Sequence, residues 1–163
     1  MDPFMAEAIA EARRGGEAGG FPIGSVLVKD GRILGRGRNT LYQAGDPTGH
    51  AEMEAFRDAA RAAAADHAPE ALDALWRDGT VYTTMMPCAM CAGAMIRFRI
   101  ARVVVGETAT YADSGTRPLM ERQGIEVADL HLPECIALVR SYLRSHPERG
   151  AGLTSSPARR IEL

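Results

Sequence analysis

Val81-Tyr82-Thr83-Thr84-Met85-Met86-Pro87-Cys88-Ala89-Met90-Cys91-Ala92-Gly93-Ala94-Met95-Ile96-Arg97-Phe98, followed by Arg102-Val103-Val104-Val105-Gly106, places a strand, a helix and a second strand in one short stretch. Residues 81–84 are β-branched or aromatic, which suits a pleated strand. Pro87 presets a helical φ and has no N–H to leave unpaired, so it fits the first helical position, and a helix from Cys88 to about Phe98 follows. The unbroken apolar run at 103–105 reads as a buried strand.

The same alternation continues outward. Phe4, Ala8 and Ala12 recur at i+4, with Met5 and Ile9 beside them, which predicts a helix over Phe4–Arg14 that Gly15-Gly16-Glu17-Ala18-Gly19-Gly20 ends. Val26-Leu27-Val28 and Arg32-Ile33-Leu34 read as strands joined through Lys29-Asp30-Gly31, since Asp-Gly is a strong hairpin signal. Gly35-Arg36-Gly37-Arg38-Asn39 carries the second strand into a loop. A further helix runs from about His50 to Ala65, with Met53, Phe56, Ala60 and Ala63 as its expected buried face. Downstream, a helix over Pro118–Gln123, a strand over Ile125–Val127 and a helix over Pro133–Arg144 complete the pattern. Helices alternating with strands predict an α/β protein, a three-layer α/β/α sandwich. Residues 1–147 form the expected domain. Residues 148–163, rich in Gly, Ser and Pro, are expected to be a flexible tail or lid.

The chain has 163 residues, 46% of them hydrophobic and 25% charged, which suits one globular domain with its own core. A net charge of −2, with Lys29 as the only lysine, offers no broad basic surface, so a nucleic-acid partner is not expected. No apolar run approaches the roughly 20 residues of a membrane helix. Met1-Asp2-Pro3-Phe4-Met5 lacks the basic-then-apolar order of a secretion signal, and a cytoplasmic location is expected. Three cysteines are too few for a disulfide scaffold, and a reducing compartment leaves their thiols free.

Two segments carry chemistry: His50-Ala51-Glu52 and Pro87-Cys88-Ala89-Met90-Cys91. Cys88 and Cys91 stand three apart at a helix start, so both thiols point to one side. The helix dipole there favours thiolate, the form that binds metal. His50 starts another helix. If the two helix starts face each other, zinc gains three ligands of the types it prefers. Three ligands leave a fourth position for a water, whose pKa zinc lowers to about 7. Glu52 lies near that position without binding the metal, suited to take a proton and return it. A Cys-x-x-Cys at a helix start in an α/β pattern also fits a thioredoxin-like redox pair, but that reading leaves His50 and Glu52 idle. Cys135 reads as a small buried apolar residue in the last helix. His67, His131 and His146 read as solvated, and Arg36 and Arg38 as a solvent-facing strand edge.

This split motif is the signature of the zinc deaminases. The chain further resembles the small zinc-dependent cytosine deaminases of the fungal type. The resemblance rests on Gly19-Gly20-Phe21-Pro22-Ile23-Gly24, Gly35-Arg36-Gly37-Arg38-Asn39, Thr48-Gly49-His50-Ala51-Glu52, Tyr82-Thr83-Thr84 through Cys91-Ala92-Gly93-Ala94, and Val104-Val105-Gly106-Glu107. It implies a mixed five-stranded sheet between helices, one Zn2+ per chain, a homodimer and a free nucleobase as substrate. It also implies that Glu52 is catalytic and that His50, Cys88 and Cys91 hold the metal. Asn39 and the Ala51 backbone N–H would hold the base carbonyl, and the Met86 carbonyl would meet the amine. Tyr111 would cover the ring and Ile23 would line the pocket. Fungal-type enzymes close the pocket with an acidic, Trp-containing C-terminal segment. Here Glu148 is followed by Arg149-Gly150-Ala151-Gly152, and the only tryptophan is Trp76. Glu148, Asp113 and Glu107 remain as candidate acidic ring contacts. Cytosine is the expected base, with isoguanine, guanine, 5-methylcytosine, creatinine or an amino-triazine such as 5-azacytosine as alternatives. The tRNA adenosine deaminases share Pro87–Ile96 closely and are the rival reading.

Overall fold

The computed structural model describes residues 1–63, 69–111 and 115–149. The expected tail lies mostly outside these residues; of it, Glu148 and Arg149 are described and belong to a short 3-10 turn, Pro147–Arg149. The strands are β1 (Gly24–Lys29), β2 (Arg32–Arg38), β3 (Thr80–Thr83), β4 (Arg102–Val105) and β5 (Glu126–Asp129). The helices are α1 (Pro3–Glu17), α2 (Leu41–Ala44), α3 (Ala51–Ala62), α4 (Pro69–Trp76), α5 (Ala89–Arg97), α6 (Thr116–Arg122) and α7 (Pro133–Ser145).

The strands form one five-stranded sheet in the order β2-β1-β3-β4-β5. β1 is antiparallel to β2 and β3, whereas β3, β4 and β5 run parallel. The hairpin turns through Asp30 (φ 49°) and Gly31 (φ 71°), two left-handed residues that match the twist of paired strands. The parallel pairs need crossovers, which α5 and α6 supply. Strand residues alternate between two cores. Val26, Val28, Tyr82 and Val104 pack with Met5, Ala8 and Ile9 of α1. Leu27, Val81, Val103 and Val105 pack with Phe56 of α3 and Met95 of α5 on the other face. The sandwich is therefore helix, mixed sheet, helix, as the sequence predicts.

Several boundaries differ. Helix α1 continues through Gly15 and Gly16 to Glu17 and closes in a Schellman turn: Gly20 N–H donates to Gly15 O, Gly19 N–H donates to Gly16 O, and Gly19 is left-handed (φ 80°). Pro87 precedes the N-cap Cys88 instead of occupying the first helical position. The expected end of the His50 helix at Ala65 falls outside the described residues; α3 ends at Ala62. Of its expected buried face only Phe56 is buried; Met53, Ala60 and Ala63 are partly exposed. The buried stripe is Ala51, Ala55, Phe56 and Ala59. The reason lies in β2. A Cβ at Gly35 would fall 2.2 Å from Ala55 O, and one at Gly37 would fall 2.1 Å from Ala51 O. Bare glycine backbone lets an alanine stripe lie directly on the strand. Helices α2 and α4 were not expected. Trp76 of α4 packs on Phe98 with ring centres 4.6 Å apart.

The sheet register sets up the site. Gly24 pairs with Arg38, Ser25 with Thr83, and Thr83 with Val105. Ile23, Asn39, Met86 and Tyr111 thus all lie just beyond one end of the sheet. That end includes the carboxyl ends of the parallel strands, where open α/β sheets bind ligands.

Candidate active site and metal centre

His50 is the N-cap of α3 and Cys88 the N-cap of α5, so the two helix starts do face each other. The loop before His50 is fixed by Asp46, whose carboxylate accepts from the Thr48 N–H at 2.8 Å and the Thr48 hydroxyl at 2.7 Å. Arg57 on α3 donates to Thr48 Oγ1 at 2.8 Å and ties that loop to the helix.

His50 Nδ1 lies 3.5 Å from Cys88 Sγ and 3.7 Å from Cys91 Sγ, and the two sulfurs are 3.7 Å apart. Tetrahedral zinc with ordinary bond lengths separates two sulfur ligands by about 3.8 Å and sulfur from nitrogen by about 3.5 Å. The triangle therefore has the dimensions of three corners of a zinc tetrahedron. Among the described residues, these three form the cluster able to hold a metal. Sulfurs 3.7 Å apart are not a disulfide, and His50 stands against both of them, a contact that the redox-pair reading leaves unused.

Charge points the same way. The Cys91 thiol hydrogen-bonds to Cys88 and, with His50 adding to the effect, holds the Cys88 thiol well below its ordinary range despite burial. The same bond, with burial and the nearby Glu52, pushes the Cys91 thiol up. The Cys88 contact raises His50 against the opposing effect of burial. Burial, then the charge on Cys88, pushes the Glu52 carboxyl up. None of the described residues lining the adjoining cavity is Lys or Arg. With both thiols in the deprotonated form that binds metal, two thiolates beside the Glu52 carboxylate would need a divalent cation as counter-charge.

Glu52 is held on both oxygens. Oε1 accepts from the Thr83 hydroxyl at 3.1 Å, and Oε2 lies 3.5 Å from Cys91 Sγ. It stands beside the metal triangle in the first turn of α3. Thr83, fully buried on β3, is a positioning group that the sequence reading did not single out.

One cavity adjoins the triangle. Ile23, Asn39, Ala51, Met86 and Tyr111, each expected to touch substrate, all line it together with His50, Glu52 and Cys88. Cys91 sits behind, wholly buried. Asn39 Oδ1 accepts from the Leu41 N–H at 3.2 Å, which leaves its side-chain NH2 as the donor for the cavity. Ala51 opens α3, so its N–H has no intrahelical partner. The Met86 N–H donates to Glu107 O at 3.1 Å, which fixes that peptide at the cavity wall. Phe21, Leu41, Tyr42 and Met85 also line the cavity and were not expected.

Of the candidate acidic ring contacts, the two that are described, Glu107 and Glu148, do not line it. Glu107 is completely buried, and its carboxylate accepts the N–H groups of Ala109 and Thr110 at 2.7 and 2.9 Å as well as the Thr110 hydroxyl. It shapes the turn leading to Tyr111. Glu148 pairs with Arg149 at 3.6 Å, and Asp113 lies outside the described residues. Cys135 is buried against Gly106, as expected of a packing residue. His131 is exposed; His146 instead stacks on Tyr142 with ring centres 4.4 Å apart, and His67 lies outside the described residues. Arg36 and Arg38 are exposed on the edge strand, paired with Glu7 and Glu11.

A mixed sheet carrying a three-ligand zinc triangle, with an unligated glutamate beside it, defines a zinc hydrolase site. A family model described as the cytidine and deoxycytidylate deaminase zinc-binding region matches residues 1–107. A cytosine deaminase from Candida albicans is 33% identical over 142 residues, spanning 86% of this chain and 87% of that protein. A tRNA-specific adenosine deaminase from Streptococcus pyogenes is 39% identical over 105 residues, spanning 63% of this chain and 60% of that protein. A structure from work on A-to-I editing by tRNA:A34 deaminases superposes with a TM-score of 0.68 at 30% identity, covering 83% of this chain and 97% of that one. A guanine deaminase from Nitrosomonas europaea shares the fold, with a TM-score of 0.66 at 22% identity, covering 85% and 82%. The chain belongs to the cytidine and deoxycytidylate deaminase family of zinc-binding enzymes, which hydrolytically deaminate amino-heterocycles. No described helix is long and apolar enough to cross a membrane.

Proposed function

We propose that this enzyme removes the exocyclic amine of a free nucleobase, converting cytosine and water to uracil and ammonia. The observation that carries the reading is the convergence of the Asn39 NH2 and the Ala51 N–H on one aromatic-walled cavity beside Glu52 and the metal triangle. In this reading the two donors hold the base carbonyl, and the Met86 carbonyl accepts from the amine. Tyr111 covers the ring, and Ile23 packs on it. Zinc, held by His50, Cys88 and Cys91, supplies the Lewis acid that makes water a nucleophile near neutral pH. Glu52 takes one water proton to the ring nitrogen and the other to the departing amine, while the water oxygen bonds the ring carbon and the carbon–nitrogen bond breaks.

A tRNA adenosine deaminase is the second reading, favoured by 39% identity over 105 residues to such an enzyme. An in-strand adenosine brings phosphates that call for basic partners. The cavity lining provides none among the described residues, and the net charge is −2. Guanine and the other amino-heterocycles remain in the same substrate class. Ammonia release from a panel of free bases, nucleosides and an anticodon stem-loop decides. Turnover of free bases supports the proposal, and turnover of RNA alone refutes it. The homodimer implied by the resemblance belongs to this reading; sedimentation at twice the chain mass supports it, and at the single-chain mass refutes it.

A further inference from the structure

Two residues that line the cavity, Phe21 and Tyr42, belong to an aromatic cluster that the proposed chemistry does not use. The Phe21 ring lies 5.8 Å from Tyr42 and 4.8 Å from Tyr142 of α7. Arg149, in the 3-10 turn, caps this cluster. Its guanidinium carbon sits 4.4 Å from the centre of the Tyr42 ring and 5.7 Å from that of Tyr142. Nη1 donates to Gly19 O at 2.6 Å and to the Tyr142 hydroxyl, and Nε pairs with Glu148 at 3.6 Å. One side chain thus joins the turn after α1, the short helix α2 and the end of α7.

Helix α2 needs such a tie. It is four residues long, and its N-cap Thr40 makes no side-chain capping bond. A single helical turn gains little from its own hydrogen bonds. Besides the Phe21 contact, Asn39 Oδ1 accepts from the Leu41 N–H at 3.2 Å, and Gln43 holds the helix through a long bond to Gly15 O at 3.5 Å. Tyr42 is 38% exposed although it also walls the cavity. A planar guanidinium suits the arrangement, because it can stack on a ring and donate along its edge at once.

We propose that Arg149 is a specificity-determining positioning residue: it clamps Tyr42 and α2 across the cavity and restricts entry to a bare heterocycle, excluding the same base carrying a sugar. The specificity part rests on the free-base reading above; the clamp itself does not. The test compares zinc-loaded wild type, Arg149→Ala and Arg149→Lys by backbone hydrogen exchange over residues 41–44 and by kinetics on cytosine and cytidine. Zinc content should stay unchanged in both variants. In Arg149→Ala, exchange at 41–44 should quicken several-fold while the sheet is unaffected. KM for the base should rise about three- to tenfold, the worth of one partly exposed cation–π contact, with kcat within about twofold. The cytidine-to-cytosine ratio of kcat/KM should rise, and Arg149→Lys should fall between, because it keeps charge without the planar stack.

Unchanged exchange at 41–44 overturns the clamp. Faster exchange with an unchanged base-to-nucleoside ratio overturns the specificity role, as does a loss confined to kcat. A wild-type enzyme that turns over no free base refutes the proposed function and with it the specificity role, while the exchange measurement still judges the clamp.

Discussion

In the proposed function Glu52 carries the proton transfers, and its neighbours define what a substitution there does. The Thr83 hydroxyl and Cys91 Sγ hold its two oxygens, and it is not one of the metal-ligating atoms. Glu52→Gln should therefore keep one zinc per chain and lose about 10²–10⁴ in kcat, the usual worth of a positioned acid/base. Metal analysis and ammonia release on one preparation check this, and loss of zinc would mean that Glu52 binds the metal. Asn39→Asp is nearly isosteric but replaces the NH2 donor with an acceptor. In the proposed function this buried donor holds a base carbonyl, so kcat/KM should fall by at least about 10² with the fold unchanged, as steady-state kinetics and circular dichroism will report. Burial, with Glu107 and Glu134 nearby, pushes the Cys135 thiol up to about 12. At pH 8 it is protonated, below its pKa, so iodoacetamide should leave it unlabelled in the folded protein and label it after unfolding, as read by peptide mass spectrometry.

At the scale of elements, the contact of α3 with β2 places His50 and Glu52. A Cβ added at Gly37 would lie 2.1 Å from Ala51 O and 2.3 Å from Ala55 N, so the start of α3 would have to move. Gly37→Ala should cost about 1–3 kcal/mol in urea denaturation and weaken zinc retention against a chelator. Gly93 is the control. It is exposed within α5 with nothing near the added Cβ, so Gly93→Ala should stabilise by about 0.4–1 kcal/mol without touching the metal. The Gly35/Gly37 contact also shows why sequence periodicity misplaced the buried face of α3. A pattern that weights large apolar side chains selects Met53 with Phe56, whereas the strand below accepts only the small Ala51–Ala55–Ala59 stripe. Helix α2 escaped notice because four residues give no periodicity. The metal ligands were legible because zinc chemistry demands particular side chains at particular spacings. Phe21, Tyr42 and Thr83 were not, because sheet register and helix docking deliver them, and neither leaves a local signal.

At the scale of the whole molecule, two helix starts meet at one end of a sheet, and the metal is the joint between them. Loading zinc should raise the thermal midpoint, and chelation should lower it reversibly, because a ligand that binds only the folded state stabilises it by mass action. The arrangement also separates two tasks. In the proposed function the zinc triangle and Glu52 perform hydrolysis on whatever amine reaches them, while Asn39, Tyr111 and the wall that Arg149 is proposed to clamp decide what reaches them. The measurement that tests this most directly is parallel quantification of ammonia and uracil from cytosine by zinc-loaded wild type and by Glu52→Gln. The proposed function predicts equal amounts of both products from the wild type, and zinc-replete but inactive Glu52→Gln. Zinc-loaded wild type that leaves cytosine intact, or Glu52→Gln that retains full turnover, would contradict it.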